Sequence, residues 1–284
     1  MLLMKAPRRL IIHADDLGLS PKVSRGILRA MSEGVVTSTS LLANFPTSRE
    51  ALAAAREEGR DVGWHLNLVQ GRPLTAPGRI VSLVGRDGCF LPWHRLMLRA
   101  YAGRLISSEI KTELSAQYQV FADGGLKPSH VDGHLHAHLL PGVREALRDL
   151  IAEKAIPFVR VPWERGGLTV PRWPTRILLK TFRGAHADFW RSTGAQVLPF
   201  FGLALSDRPA DPRLWADQLR HNPHPLAECM VHPGYFDSKE KLLLGEMGQG
   251  REAELQWLTS PTLRKLLRDL NYQLISYKDL RKIS

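Results

Sequence analysis

Strand-length apolar runs alternate with helix-length, capped segments along nearly the whole chain. That alternation restricts the fold to a mainly parallel sheet with helices packed outside it. Arg9–Ala14, Thr39–Phe45, Asp61–Leu68, Ser129–His136, Phe158–Val161, Val197–Leu205, Ala227–Val231 and Gln273–Tyr277 read as strands. Between them, Ser20–Glu33 reads as a helix with Ser20 as N-cap, Pro21 in the first turn and Gly34 at its end. Ser48–Glu58, Ser107–Phe121, Pro141–Lys154, Pro212–Leu219, Glu252–Leu258 and Ser260–Leu270 read the same way. The stretch 70–105 is long, irregular and carries Gly and Pro, as a functional loop does. Seven or eight mainly parallel strands fit a TIM-like β/α barrel, complete or incomplete, as one α/β domain over residues 1–284.

Barrels of this kind build their sites where strands end. Four of these apolar runs end in acids or imidazoles: His13-Ala14-Asp15-Asp16, Trp64-His65, His130-Val131-Asp132-Gly133-His134-Leu135-His136-Ala137-His138 and Val231-His232-Pro233-Gly234. Asp15 and Asp16 are neighbours, so in extended backbone they point to opposite sides; one suits a metal and the other a water. A histidine placed like His65 is more often a hydrogen-bonded core residue than a ligand. His130, Asp132, His134 and His136 alternate, which on a strand puts all four on one face. Burying four such groups is costly without a metal or partners. Two histidines and an aspartate would leave positions open for water and substrate. Opposite a metal, His232 becomes a candidate proton donor, and Arg160 a candidate clamp for a carboxylate.

The formal charge is +11, with 44% hydrophobic and 24% charged residues. A basic balance fits nucleic acid, an anionic membrane surface or plain solubility. No nucleic-acid motif is present, so no nucleic-acid partner is expected. Two cysteines, Cys89 and Cys229, lie far apart, which argues against a disulfide framework and for a reducing compartment. Leu10–Ile12 is too short for a secretory apolar region, and the expected location is cytoplasmic.

These motifs together resemble the YdjC/ChbG family of carbohydrate deacetylases. His13-Ala14-Asp15-Asp16-Leu17-Gly18-Leu19-Ser20 is similar to its opening motif, with His13 in place of the usual asparagine. Val36-Thr37-Ser38-Thr39, Gly63-Trp64-His65, the 127–136 segment, Met230-Val231-His232-Pro233 and Ser276-Tyr277-Lys278-Asp279 follow in the family's order. The resemblance implies metal-dependent N-deacetylation of an N-acetylated amino sugar. It also implies Asp16, His65 and His134 as ligands of one divalent metal: zinc or magnesium, with manganese, cobalt or nickel as alternatives. Asp15 matches the general base and His232 the acid. His13, Asp132, His136, His138 and Arg160 fall to substrate contact or to support of the ligands.

Within the family the chain resembles the hopanoid-associated HpnK branch. The segment 163–205 carries Trp163, Trp173, Phe182, Phe189, Trp190, Phe200 and Phe201 among arginines, as a lid or a membrane-facing lip would. This branch implies a lipid-linked substrate, an N-acetylglucosaminyl hopanoid, with peripheral contact at the inner face of the cytoplasmic membrane. Soluble chito-oligosaccharides are the alternative substrate, and a homodimer is expected by family analogy. A His-x-His amidohydrolase or phosphoesterase usually carries that motif after its first strand, whereas His134 and His136 lie mid-chain; a basic membrane- or nucleic-acid-binding module leaves the ordered set unexplained.

Overall fold

A computed structural model of the chain describes residues 6–162, 185–207, 210–238 and 248–283. Chain order is β1 (Arg8–Leu17), α1 (Pro21–Ser32), β2 (Ser38–Leu41), α2 (Ser48–Glu57), β3 (Val62–Leu66), α3 (Trp93–Tyr101), α4 (Ser107–Asp123), β4 (Val131–Gly133) and α5 (Val143–Lys154). Then come α6 (Ala185–Arg191), β5 (Phe200–Phe201), α7 (Pro212–His221), β6 (Leu226–Val231), α8 (Gly248–Leu258), α9 (Pro261–Asp269), β7 (Tyr272–Leu274) and α10 (Tyr277–Ile283). Helix starts follow their caps. Ser20 accepts from the Val23 amide and Ser260 from the Leu263 amide, each before a proline in the first turn.

The seven strands form one parallel sheet in the order β4-β3-β2-β1-β6-β5, with β7 also beside β1. Leu10, Ile11, Ile12 and Ala14 of β1 are wholly buried, as a strand covered on both faces must be. Bridges Val131–Val159 and Phe158–Gln196 carry the β4 edge toward the segment that leads into β5, so the sheet curls into an incomplete barrel. The strands expected at 158–161 and 197–205 reduce to these bridges and to two residues, because Pro157, Pro162 and Pro199 interrupt any ladder.

Two expectations are corrected. The 70–105 stretch is not all loop: its end forms α3, which buries Leu96 and Ala100. Glu113 of α4 pins the irregular part, its carboxylate accepting from the Leu74 and Thr75 amides at 3.2 and 2.9 Å. The strand at Ser129–His136 stops at Gly133, and a 3-10 turn takes over from His134 to Leu139 with Leu135 and His136 left-handed. The alternation of His130 through His136 on one face therefore fails after Asp132.

Gly63 is where the sheet makes room for its polar interior. A Cβ there would lie 2.3 Å from the His130 imidazole, and that ring is fully buried. Gly63→Ala should therefore cost about 1–3 kcal/mol by overpacking, read as a lower midpoint in denaturant with an unchanged slope. A midpoint equal to that of the parent chain would show that the ring has somewhere to go.

Candidate active site

Strand register delivers the chemistry to one mouth. Ala14 pairs with Val231, so Asp15 and His232 leave adjacent strands side by side. His65 pairs with Asp132 across β3 and β4. Between Ala14 and Leu17 the β1–β2 register shifts, and Asp16 adopts φ 75°. A non-glycine residue rarely takes this conformation, which commonly marks a functional site. Here it gives the two adjacent aspartates separate sets of partners.

Asp16 Oδ1 lies 3.4 Å from His65 Nε2 and 3.0 Å from His134 Nδ1. That oxygen is buried and has no hydrogen-bond partner. The outer nitrogens explain why. His65 Nδ1 sits 2.8 Å from Asp132 Oδ1, and His134 Nε2 sits 2.8 Å from the Gln70 side-chain oxygen. Both partners accept, so those nitrogens carry the hydrogens and the inner ones present lone pairs to Asp16. Three lone pairs converging without a hydrogen call for a cation. Burial opposes charge on His65, yet Asp132, Asp15 and Asp16 push its pKa up to about 10, the mark of a cluster of acids that favours positive charge. The residues fit one divalent metal, and the triad is the one expected from the sequence.

Asp15 belongs to a second network. Arg160 donates to both its oxygens, at 2.7 and 2.8 Å. The same guanidinium reaches Asp132 Oδ2 at 3.0 Å and Glu228 Oε1 at 2.8 Å. Burial works against ionising Asp15, but Arg160 and the neighbouring imidazoles hold its pKa well below the usual carboxylate range. Asp132 is held down in the same way, against burial, by Arg160 and His65. Arg160 thus does what its place in the sequence suggested. His13 is fully buried, with Nδ1 2.9 Å from Asp15 Oδ1 and Nε2 2.7 Å from His130 Nε2. It braces Asp15 from below and is out of reach of substrate.

His232 Nε2 lies 3.9 Å from Asp15 Oδ2, and the ring is half-buried. Burial lowers its pKa to about 4, with the two aspartates opposing and Arg251 and Arg160 adding to it. His138 is buried and bonded at 2.8 Å to the Arg160 carbonyl, so it supports the clamp from the backbone side. His136 is half-buried beyond the turn, its Nδ1 unpartnered and its pKa lowered to about 3 by burial, then by His138 and Arg160. It is not on the face that its spacing suggested.

Several site residues carried no local signal. Arg251 donates to Asp16 Oδ2 and Glu254 accepts from the His232 amide at 2.8 Å, both from α8. Ser40 donates to Asp132 Oδ2 at 3.0 Å, and Tyr277 stacks on His130 at 4.0 Å. Asp15, Asp16, Asp132 and Glu228 against Arg160 and Arg251 leave two formal negative charges, which a divalent ion would neutralise. A cavity of about 670 Å³ between α1 and α2, lined by Arg25, Arg29, Glu50 and Tyr235, includes none of these groups.

Residues 9–269 match the family model described as YdjC-like protein. The chain belongs to the YdjC-like family. A carbohydrate deacetylase of Homo sapiens is 34% identical over 98% of this chain and 93% of its own length. A chitooligosaccharide deacetylase of Yersinia enterocolitica is 33% identical over 95% of this chain and 98% of its own. The fold is shared with a candidate cellobiose-phosphate cleavage protein from Enterococcus faecalis V583, with TM-score 0.76, 24% identity, and 97% and 99% of the two chains covered.

Glu254 offers a test of this electrostatic arrangement. Burial raises its pKa from 4.5 to about 8, against the His232 amide and Arg251, which lower it. The folded chain keeps a proton that the unfolded chain loses, so folding becomes costlier as pH rises from about 4.5 to 8. Glu254→Gln should relieve on the order of 3 kcal/mol at pH 7 and nothing at pH 4. Thermal unfolding of both chains at the two pH values measures this. An equal shift at both would sink it.

Proposed function

We propose that this YdjC-like protein is a metal-dependent N-deacetylase of N-acetylated amino sugars. One observation carries the reading: a lone-pair triad of Asp16, His65 and His134 lies beside an ionised aspartate and a histidine poised to exchange a proton. The relatives named carbohydrate and chitooligosaccharide deacetylases support the substrate class. A divalent ion held by the triad would act as Lewis acid, polarising the acetamide carbonyl and acidifying the attacking water. Two imidazoles suit zinc, cobalt or nickel better than magnesium, which prefers oxygen ligands.

The chain's own groups move the protons. Asp15 is ionised and takes a proton from water as the oxygen adds to the carbonyl carbon. The C–N bond then breaks with its electron pair going to nitrogen, and nitrogen must be protonated to leave. His232 is neutral at pH 7 in the free enzyme, so it delivers a proton only after receiving one. Asp15 Oδ2, 3.9 Å away, is the donor at hand. One proton thus passes from water through Asp15 and His232 to the departing amine. Arg160 keeps Asp15 oriented and weakly basic throughout.

Soluble chito-oligosaccharide is the substrate we favour. The hopanoid reading rests on the aromatic segment 163–205, of which 163–184 lies outside the described residues. Trp190, Phe200 and Phe201 of that segment are buried, so they supply no exposed belt for a membrane. Among the described residues, no helix is long and apolar enough to cross one. The cytoplasmic location we propose rests on the sequence, in which Cys89 and Cys229 lie far apart and form no disulfide framework pattern.

Acetate release from N-acetylated chito-oligosaccharides should stop on chelation and return with zinc or cobalt. Turnover confined to an N-acetylglucosaminyl lipid would reverse the substrate choice. Asp15→Asn should cut kcat by about 10²–10⁴-fold while metal stays bound, as general-base loss does. Asp16→Ala and His134→Ala should instead lose the metal, measured by elemental analysis after dialysis. Full metal occupancy in both would refute the triad.

A further inference from the structure

We infer that Arg251 is a positioning residue for Asp16, holding that carboxylate to one-oxygen binding of the metal. The inference rests on the metal reading above and deepens it. A carboxylate beside a divalent ion can offer one oxygen or chelate through both. Here the Arg251 guanidinium takes Asp16 Oδ2, while Oδ1 faces His65 and His134. With one oxygen engaged, the triad supplies three donor atoms, which leaves positions open for water and the acyl oxygen. If Oδ2 were free to chelate, it would fill one of them.

The burial of Arg251 argues for this role over plain scaffolding. The residue is 2% exposed, yet its Nε and Nη1 have no hydrogen-bond partner among the described residues. Arg160, equally buried, uses Nε, Nη1 and Nη2 on carboxylates. A buried guanidinium held only for stability would be satisfied like Arg160. The Arg251 side chain makes its described bond with Asp16 alone. The two adjacent aspartates are thus clasped by different arginines, from opposite ends of the chain's second half. Arg160 keeps both oxygens of Asp15 in its grip, and Arg251 takes one oxygen of Asp16 and leaves the other.

The test uses the full chain loaded with cobalt(II), whose visible bands weaken as coordination number rises. A crystal structure of the cobalt-loaded parent protein should show Asp16 bound through Oδ1 alone. Arg251→Met keeps the stem and removes the clasp; its cobalt bands should weaken, with kcat for acetate release down roughly 10–100-fold and KM little changed. Arg251→Lys, which can still hold one oxygen, should recover part of both signals. A chelating Asp16 in the parent protein overturns the proposal even if the variants fail to fold. An Arg251→Met protein with unchanged cobalt bands and kcat overturns it too. A parent protein that takes up no cobalt overturns the metal centre itself, and this inference with it.

Discussion

One guanidinium, Arg160, lies among three buried carboxylates: Asp15, Asp132 and Glu228. Burial works against the charge on Asp15 and Asp132, and this guanidinium is the main group that holds both ionised. Asp132 in turn fixes the hydrogen on His65 Nδ1, and this frees Nε2 for the metal position. Asp15 is kept charged and oriented toward His232. Asp15, His65 and the buried acids beneath them therefore depend on a single side chain at the edge of the sheet. His138 holds its backbone, and Glu228, on β6, ties the guanidinium across the sheet.

The adjacent aspartates show how backbone conformation divides labour. Their side chains are chemically identical. The register shift in β1 and the left-handed φ of Asp16 turn one toward His65 and His134 and leave the other to Arg160 and His232. Burial raises the pKa of each, and a different arginine holds it well below the usual carboxylate range. The pair therefore stays doubly ionised, where two unclasped neighbouring carboxylates would repel each other and favour holding a proton.

Much of this was legible along the chain. Caps and prolines marked α1 and α9 almost to the residue, because capping is a local interaction. The strand ends marked the acids and imidazoles as a group, and the resemblance to the family singled out Asp16, His65 and His134 among them. His136 and His138 were expected to contact substrate or support the ligands; the turn after Gly133 took His136 off the strand face and set His138 onto the Arg160 carbonyl. Strand periodicity carries no information about where a strand stops. Arg251, Glu254 and Gln70 could not be found this way: none sits at a strand end, and each acts on a residue far away in the chain.

The sequence by itself determined the parallel α/β architecture and the residue types of a hydrolytic metal centre. Both follow from local periodicity and from the cost of placing acids and imidazoles on buried strands. Only the tertiary structure decided which nitrogen of each imidazole faces Asp16, how the two adjacent aspartates divide their partners and which arginine clasps each. Those outcomes are set by contacts between segments up to 235 residues apart. Electrostatic partners of that kind are chosen by the packing of strands and helices, after local preference has been spent.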